Sequence, residues 1–264
     1  MFESIIFPVI VVAVIGALAG LMLSIASKVF YVEVDETQAK VREVLPGANC
    51  GACGCAGCDE YAAKLAKGEA EPNLCTVGGA AVAAQIGEIL GVEVGAMEAK
   101  KAVVRCRGHL NTTDFIMDYT GPKTCAASKM YYGGRTSCNY ACLGYGDCVA
   151  ACPYNAISIN NSLAQIDYRL CIGCGACSKV CPQNILEIIP AAQQTWVTCR
   201  SKENALGTRK VCTNGCLGCK KCERTCEFGA ITVTDNRAHI DPSKCTNCGK
   251  CAEACPTKCI HTNY

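Results

Sequence analysis

Cys-x2-Cys-x2-Cys-x3-Cys-Pro stands complete at Cys171 to Pro182 and again at Cys245 to Pro256. Thiolates at these intervals surround a four-iron cluster, and the fourth cysteine of each run serves the other cluster of a pair. Both runs belong to a longer repeat. Cys125, Cys138, Cys142, Cys148, Cys152, Cys171, Cys174, Cys177 and Cys181 recur 74 positions later as Cys199, Cys212, Cys216, Cys222, Cys226, Cys245, Cys248, Cys251 and Cys255. The flanks keep that register, with Ala156-Ile157 falling on Ala230-Ile231 and Ile166-Asp167 on Ile240-Asp241. A fixed period marks a duplicated structural unit. The chain reads as a carrier of iron–sulfur clusters whose business is moving electrons.

In the second unit the spacing assigns Cys216, Cys219, Cys222 and Cys255 to one 4Fe–4S cluster, and Cys245, Cys248, Cys251 and Cys226 to the other. The first unit has one break, because Tyr145 stands where the second has Cys219. Cys138 lies four residues before Cys142 and is expected to supply the missing thiolate. That gives Cys138, Cys142, Cys148 and Cys181 for one cluster, and Cys171, Cys174, Cys177 and Cys152 for the other. The alternative is a three-iron cluster on Cys142, Cys148 and Cys181.

Upstream lies a separate group, Cys50, Cys53, Cys55 and Cys58 followed by Cys75. Glycines between these cysteines let backbone amides approach the sulfides. Spacing leaves open which four of the five bind. Structural zinc is the competing occupant, opposed by the lack of a nearby histidine. Cys106, Cys125, Cys199 and Cys212 remain as candidates for a sixth set; as buried free thiols they would behave as small hydrophobes. Cys55 and Cys259 look like spares. The expectation is five 4Fe–4S clusters, or six if the remaining set binds.

Composition narrows the class. Twenty-six cysteines in 264 residues would suit a secreted disulfide scaffold, but tight x2 and x3 runs suit clusters better, and no basic export signal opens the chain. Residues 1–99 hold 5 Lys+Arg against 12 Asp+Glu, and residues 100–264 hold 20 against 11. A basic docking face would explain the second half. So would four clusters of roughly −2 each, which cancel about eight of its nine excess positive charges. His109, His239 and His261 have no ligand spacing. No Gly-x-Gly-x-x-Gly follows a strand and no P-loop is present, so nicotinamide nucleotide and ATP are not expected to bind here. No nucleic-acid partner is expected either.

Several elements must position these cysteines. Ser4 to Ser27 contains no charged residue and is long enough as a helix to cross a hydrocarbon layer of roughly 30 Å. It is read as a single transmembrane anchor, residues 1–28, with Lys28 and the cluster cargo on the cytoplasmic side. Residues 29–91 are expected to form a small helical 4Fe–4S domain, with a helix from Thr37 to Leu45 and another from Val77 to Leu90 that Gly91 terminates. Residues 92–124 read as a connector. Two tandem bacterial-type 2×(4Fe–4S) ferredoxin modules follow at 125–196 and 197–264, each with a hairpin, around Asn160-Asn161 and Asp235-Asn236. The fold class is α+β.

An apolar anchor, a Cys-x2-Cys-x4-Cys-x16-Cys domain and ferredoxin modules in series resemble the B subunit of the Rnf complex, in its long form with two modules. The most specific parts are LPGANCGACGCAGC at 45–58, GPKTCAA at 121–127 and CLGYGDCVAACP at 142–153. The resemblance implies that Cys50, Cys53, Cys58 and Cys75 are the first-domain ligands, with Cys55 where the family has another residue. It implies a subunit that takes electrons from soluble ferredoxin within an ion-translocating ferredoxin:NAD oxidoreductase. Multi-span membrane subunits and NAD-binding flavin subunits would be its partners, in the cytoplasmic membrane. A membrane-tethered redox adaptor, feeding a reductase or a regulatory iron–sulfur protein without ion pumping, is the alternative.

Overall fold

The computed structural model describes residues 3–29, 35–95, 98–109 and 111–262. α1 spans Glu3–Val29, 27 residues. Its side chains are described over 13–27, and among the described residues no helix is long and apolar enough to cross a membrane.

Three helices build the first domain: α2 (Glu36–Val44), α3 (Cys58–Ala66) and α4 (Gly79–Leu90). The Asp35 carboxylate accepts from the Thr37 amide at 2.8 Å and caps α2. Gly91, left-handed at φ 66°, closes α4 because only glycine enters that region without a Cβ penalty. Val41, Tyr61, Leu65 and Ile86 are fully buried between the three helices, and this core fixes the start of α3 and with it Cys58.

The stretch expected as a connector enters the fold. β1 (Lys100–Val104) pairs antiparallel with β4 (Leu186–Pro190), so it completes module 1 rather than linking to it. Between them come α5 (Cys125–Lys129), α6 (Asp147–Ala150), the hairpin β2 (Ile157–Asn160) with β3 (Leu163–Ile166), and α7 (Ala176–Val180). Module 2 repeats the order: β5 (Thr195–Val197), α8 (Ala205–Val211), α9 (Lys221–Thr225), the hairpin β6 (Ile231–Thr234) with β7 (Arg237–Ile240), α10 (Lys250–Ala254), and β8 (Ile260–Thr262), which pairs with β5. The first hairpin turns on Asn161-Ser162, both at positive φ, one residue later than expected; the second turns on Asp235-Asn236. Two successive positive φ values are what a tight hairpin turn demands.

Strand register corrects the repeat. Val104 faces Leu186 as Val197 faces Ile260. The Arg105 amide continues the ladder to the Ile185 carbonyl as the Thr198 amide does to that of Cys259. Leu186 and Ile260 lie 74 apart, but Val104 and Val197 lie 93 apart. The structural counterpart of Cys199 is therefore Cys106, and module 1 carries nineteen extra residues between that cysteine and Cys138. Cys125 lies inside this insertion, and its match to Cys199 is one of spacing alone.

The modules pack tightly. Trp196 of β5, 1% exposed, joins Val103 and Ile189 of the β1–β4 ribbon in one core cluster and stands edge-on to Tyr168 at 5.8 Å between centroids. Lys101 lies over Trp196 and Tyr168 at 5.2 and 5.5 Å and donates to the Ala191 carbonyl at 3.2 Å. Burial pulls its pKa below the usual lysine value.

Candidate metal centres

Each ferredoxin-type loop is held by contact with its own hairpin. Gly144 (φ 72°) and Gly218 (φ 61°) sit two residues past Cys142 and Cys216. A Cβ on Gly144 would meet the Ser162 carbonyl oxygen at 2.6 Å, and one on Gly218 that of Asn236 at 2.9 Å. Both positions need glycine for φ and for space. The amide of Gly144 donates to Cys142 Sγ, and that of Gly218 to Cys216 Sγ. The same bond from the second residue on occurs from Ala176 to Cys174 and from Thr257 to Cys255. Amides aimed at sulfur stabilise thiolate and tune a bound cluster.

The cysteines ring hollows of similar size, 310 to 360 Å³ with their open mouths included. In module 2 one hollow is lined by Cys216, Cys219, Cys222 and Cys255, and another by Cys226, Cys245, Cys248 and Cys251. The crossing of Cys226 and Cys255 to the opposite loops is thus the arrangement in space. Cys219 and Cys248 are exposed. Cys259, expected as a spare, lines the first hollow and lies 3.6 Å from Cys255 Sγ. Hydrogen bonding with Cys259 holds the Cys216 thiol below its usual value and the Cys255 thiol at about 5, while the Cys259 thiol is pushed up. At the equivalent place in module 1 stands Ile185, so Cys259 occupies a packing position.

Module 1 departs from expectation at one corner. Its first hollow is lined by Cys125, Cys142, Cys148 and Cys181; Cys138 is elsewhere. α5 brings Cys125 there: the Thr124 hydroxyl accepts from the Ala127 amide at 3.1 Å, and the Asp147 carboxylate accepts from the Cys125 and Ala126 amides at 2.9 and 3.1 Å. Tyr145 turns away from the hollow and packs edge-on to Tyr119 at 5.9 Å, with the Arg135 guanidinium 4.4 Å from its ring. The sequence signal for this replacement was present in GPKTCAA, a cysteine at the start of a Thr-capped helix; the apparent match of Cys125 to Cys199 concealed it. Cys152, Cys171, Cys174 and Cys177 lie within electrostatic reach of one another. Burial pushes the thiols of Cys142 to about 11 and of Cys148 and Cys177 to about 12, so loading them with metal must expel protons.

In the first domain Cys50, Cys53, Cys58 and Cys75 line one hollow. The Asn49 side chain accepts from the Cys58 amide at 2.8 Å and anchors the loop to α3. Cys55 is buried against the helical core beside Cys53 and does not line the hollow. Lys179 of α7 donates to the Gly51 carbonyl at 3.0 Å, which seats this domain on module 1. Tyr154 lies within electrostatic reach of Cys50 and Cys75 on one side and Cys152 and Cys174 on the other.

The remaining set is rearranged. Cys106, Cys199 and Cys212 share a hollow, as expected, but their fourth companion is Cys138 and not Cys125.

Among the described residues no three His, Cys, Asp or Glu side chains converge closely enough to hold a single metal ion. Four soft sulfur donors spread round a hollow, with amides directed at them, form a donor set for a polynuclear cluster in which each iron takes one thiolate. The residues present fit 4Fe–4S clusters.

Comparison with known proteins agrees. Residues 45–77 match the family described as "Putative Fe-S cluster", 164–187 the "4Fe-4S binding domain" and 215–259 the "4Fe-4S dicluster domain". The B subunit of the Na(+)-translocating ferredoxin:NAD(+) oxidoreductase complex of Acetobacterium woodii is 41% identical over 261 residues, covering 98% of this chain and 78% of that protein. The B subunit of the ion-translocating oxidoreductase complex of Methanosarcina acetivorans is 43% identical over 251 residues, 95% of both chains. This chain belongs to the family of Rnf B subunits. The B subunit of the proton-translocating ferredoxin:NAD(+) oxidoreductase complex of Clostridium ljungdahlii is 38% identical over 262 residues, which cover 98% of this chain and 92% of that protein. An Rnf B subunit of this kind is an iron–sulfur component of an oxidoreductase complex, with 4Fe–4S domains on an α+β fold.

Proposed function

We propose that this chain is the membrane-anchored electron-transfer subunit of an ion-translocating ferredoxin:NAD oxidoreductase, accepting electrons from soluble ferredoxin and passing them to partner subunits. The observation that carries the reading is the series of four-cysteine sites running from the first domain through both modules. When bound, 4Fe–4S clusters supply reversible one-electron couples whose potentials follow charge, hydrogen bonds to sulfur and exposure. The chain's own residues hold the thiolates and direct amides at them. Cys125, Cys142, Cys148 and Cys181 are the ligands of the first cluster of module 1; the other four sets are those expected from the sequence, namely Cys50, Cys53, Cys58 and Cys75 in the first domain, Cys152, Cys171, Cys174 and Cys177 in module 1, and the two crossed sets of module 2.

The anchor is α1. Its 27 residues measure about 40 Å at 1.5 Å each, and its described side chains Val14, Ile15, Leu18, Leu21, Met22, Leu23 and Ile25 are exposed apolar groups. The relatives' names carry sodium in one case and protons in another, which supports placing ion selection in other subunits. Nucleotide chemistry belongs there too. Multi-span membrane proteins and an NAD-binding flavoprotein are the expected partners.

The test is purification of the tagged chain from membranes, with its partners identified, followed by oxidation of reduced ferredoxin by the preparation. Co-purification with those partners and NAD-dependent ferredoxin oxidation support the reading. A chain that leaves the membrane with a soluble reductase instead would favour the redox-adaptor alternative. Deleting residues 1–28 should release an iron-loaded soluble protein, since no cysteine precedes Cys50.

A further inference from the structure

We propose that the corner of module 2 formed by Cys219, Lys220, Lys221 and Arg224 is the docking face for a small acidic iron–sulfur protein that hands over one electron at a time. This rests on the reading of reduced ferredoxin as the donor, and adds where the donor lands and what charge it carries.

Exposure is the first observation. Of the 26 cysteines, Cys219 and Cys248 are the two that are exposed, so module 2 brings both of its four-cysteine sets to the surface. Their counterparts in module 1 are covered. Tyr145, in the place of Cys219, packs against Tyr119 and the Arg135 guanidinium. Cys174, in the place of Cys248, is half-buried, with Cys50 of the first domain within electrostatic reach. A separate protein can deliver an electron only where it can come close to a cluster, and module 2 offers that approach.

Charge is the second observation. Residues 216–226 and 244–258 carry Lys220, Lys221, Arg224, Lys244, Lys250 and Lys258 against Glu223 and Glu253, whereas the same stretches of module 1, 142–152 and 170–184, carry Lys179 against Asp147. Both modules surround two cysteine sets, so balancing cluster charge would call for basic residues in both. Other positive charge in this half is engaged elsewhere: Arg105 and Arg200 face Glu187 at 2.8 and 4.0 Å, at the joint between the two modules.

Pairing then chooses between the two exposed corners. Beside Cys248, Lys250 meets Glu227 at 2.7 Å and Lys244 meets Asp241 at 3.9 Å. Lys202 likewise cancels Asp235 of the hairpin turn at 3.5 Å. Beside Cys219 the balance is uneven. Lys220, Lys221 and Arg224 are all exposed, against one carboxylate, Glu223, which accepts from the Val233 amide at 3.2 Å and is tied to the hairpin. Lys220 caps α9 and Arg224 lies four residues on, so the two share a side, and Lys220 lines the same hollow as Cys219. Module 1 has Gly146, Asp147 and Ala150 at these three places.

The chain contains an internal precedent for the partner. Residues 29–91 hold 4 Lys+Arg against 9 Asp+Glu, and this acidic cysteine domain is seated on module 1 through Lys179, which donates to the Gly51 carbonyl at 3.0 Å. An acidic donor would be steered to the Cys219 corner, because complementary charge speeds encounter. In the transfer the donor loses one electron and the site of Cys216, Cys219, Cys222 and Cys255 gains it; no bond forms or breaks.

The test uses the purified complex with the full-length, iron-loaded chain, and a reduced acidic 2×(4Fe–4S) ferredoxin as probe. Carbodiimide joins a lysine directly to a carboxylate in contact with it. On the wild-type complex it should link the ferredoxin to Lys220 or Lys221, identified by mass spectrometry; links confined to module 1 or the first domain would overturn the proposal. In stopped-flow mixing, Lys220→Gln, Lys221→Gln and Arg224→Gln combined should slow ferredoxin oxidation about tenfold at low salt and flatten its dependence on ionic strength, with iron content unchanged. Lys244→Gln, at the other corner, should stay within about twofold of wild type. A triple variant with the wild-type rate and salt dependence would sink the docking face and leave ferredoxin as the donor. A wild-type complex that takes electrons from methyl viologen radical but none from ferredoxin would overturn the functional reading, and the docking face with it.

Discussion

Modules 1 and 2 share a hairpin, crossed ligand loops and a ribbon strand, yet they complete their first cysteine set by different routes. Module 2 keeps Cys219 in the loop, where it is exposed. Module 1 has Tyr145 there, packed against Tyr119 and Arg135, and draws Cys125 from a helix inside a nineteen-residue insertion. A ligand lost from a loop can be replaced from any segment that the fold brings to the same corner, provided that segment is rigidly held. Thr124 and Asp147 hold it by capping α5. The two modules therefore differ in chain path while keeping the same donor count.

The largest effect that would break this comparison is loss of a cluster. Cys125→Ala should cost module 1 its first cluster or leave a three-iron remnant, a loss of about one to four irons, whereas Cys138→Ala should leave that cluster's spectrum intact. Iron analysis with electron paramagnetic resonance decides; the opposite pattern would return the ligand role to Cys138. Tyr145→Cys should restore the fourth thiolate in the Cys125→Ala background.

Next come the paired glycines. Gly144→Ala and Gly218→Ala should each destabilise their loop by about 1–3 kcal/mol, and Gly144→Ala should do so more, because its Cβ would come nearer to a backbone oxygen. Denaturant midpoints of the two variants, measured on iron-loaded protein, would show equal costs if the modules hold their loops alike.

A smaller effect concerns the joint. Burial pushes the Glu187 carboxyl up, but its Arg105 hydrogen bonds and the charges of Arg105, Arg200 and Arg237 outweigh that and hold it below the ordinary carboxylate value. A carboxylate lowered on folding adds stability above its unfolded pKa and loses it as pH falls through the folded one. Wild-type stability should therefore decline on acidification below the ordinary carboxylate range, and Glu187→Gln should flatten that part of the profile, by about 1 kcal/mol or less for this half-exposed pair. Urea unfolding across that pH range, with identical slopes for both proteins, would discard the idea.

The smallest effect separates Cys259 from its counterpart Ile185. Cys259→Ala removes a hydrogen bond to two ligand sulfurs of module 2 and should shift that cluster to a more negative potential, without loss of iron and without change in module 1. A redox titration followed by electron paramagnetic resonance reads this directly.

The sequence by itself determined the chemistry and most of the architecture. Cysteine spacing identifies the three-cysteine runs of module 2 because cysteines three residues apart are placed by local backbone alone, and the αL glycines and hairpin turns are local as well. The amide pattern at sulfur, the role of β1 and the exchange of Cys125 with Cys138 were decided only by tertiary structure. Those cysteines stand outside the tight runs, and it is α5, held by Thr124 and Asp147, that carries Cys125 to its hollow. A spacing match of 74 residues pointed Cys125 at Cys199, whereas the register of β1 on β4 and β5 on β8 makes Cys106 its counterpart. Short-range spacing fixes which side chains can share a cluster within a loop; which distant loops meet depends on how strands pair and modules pack, and that information is spread over the whole chain.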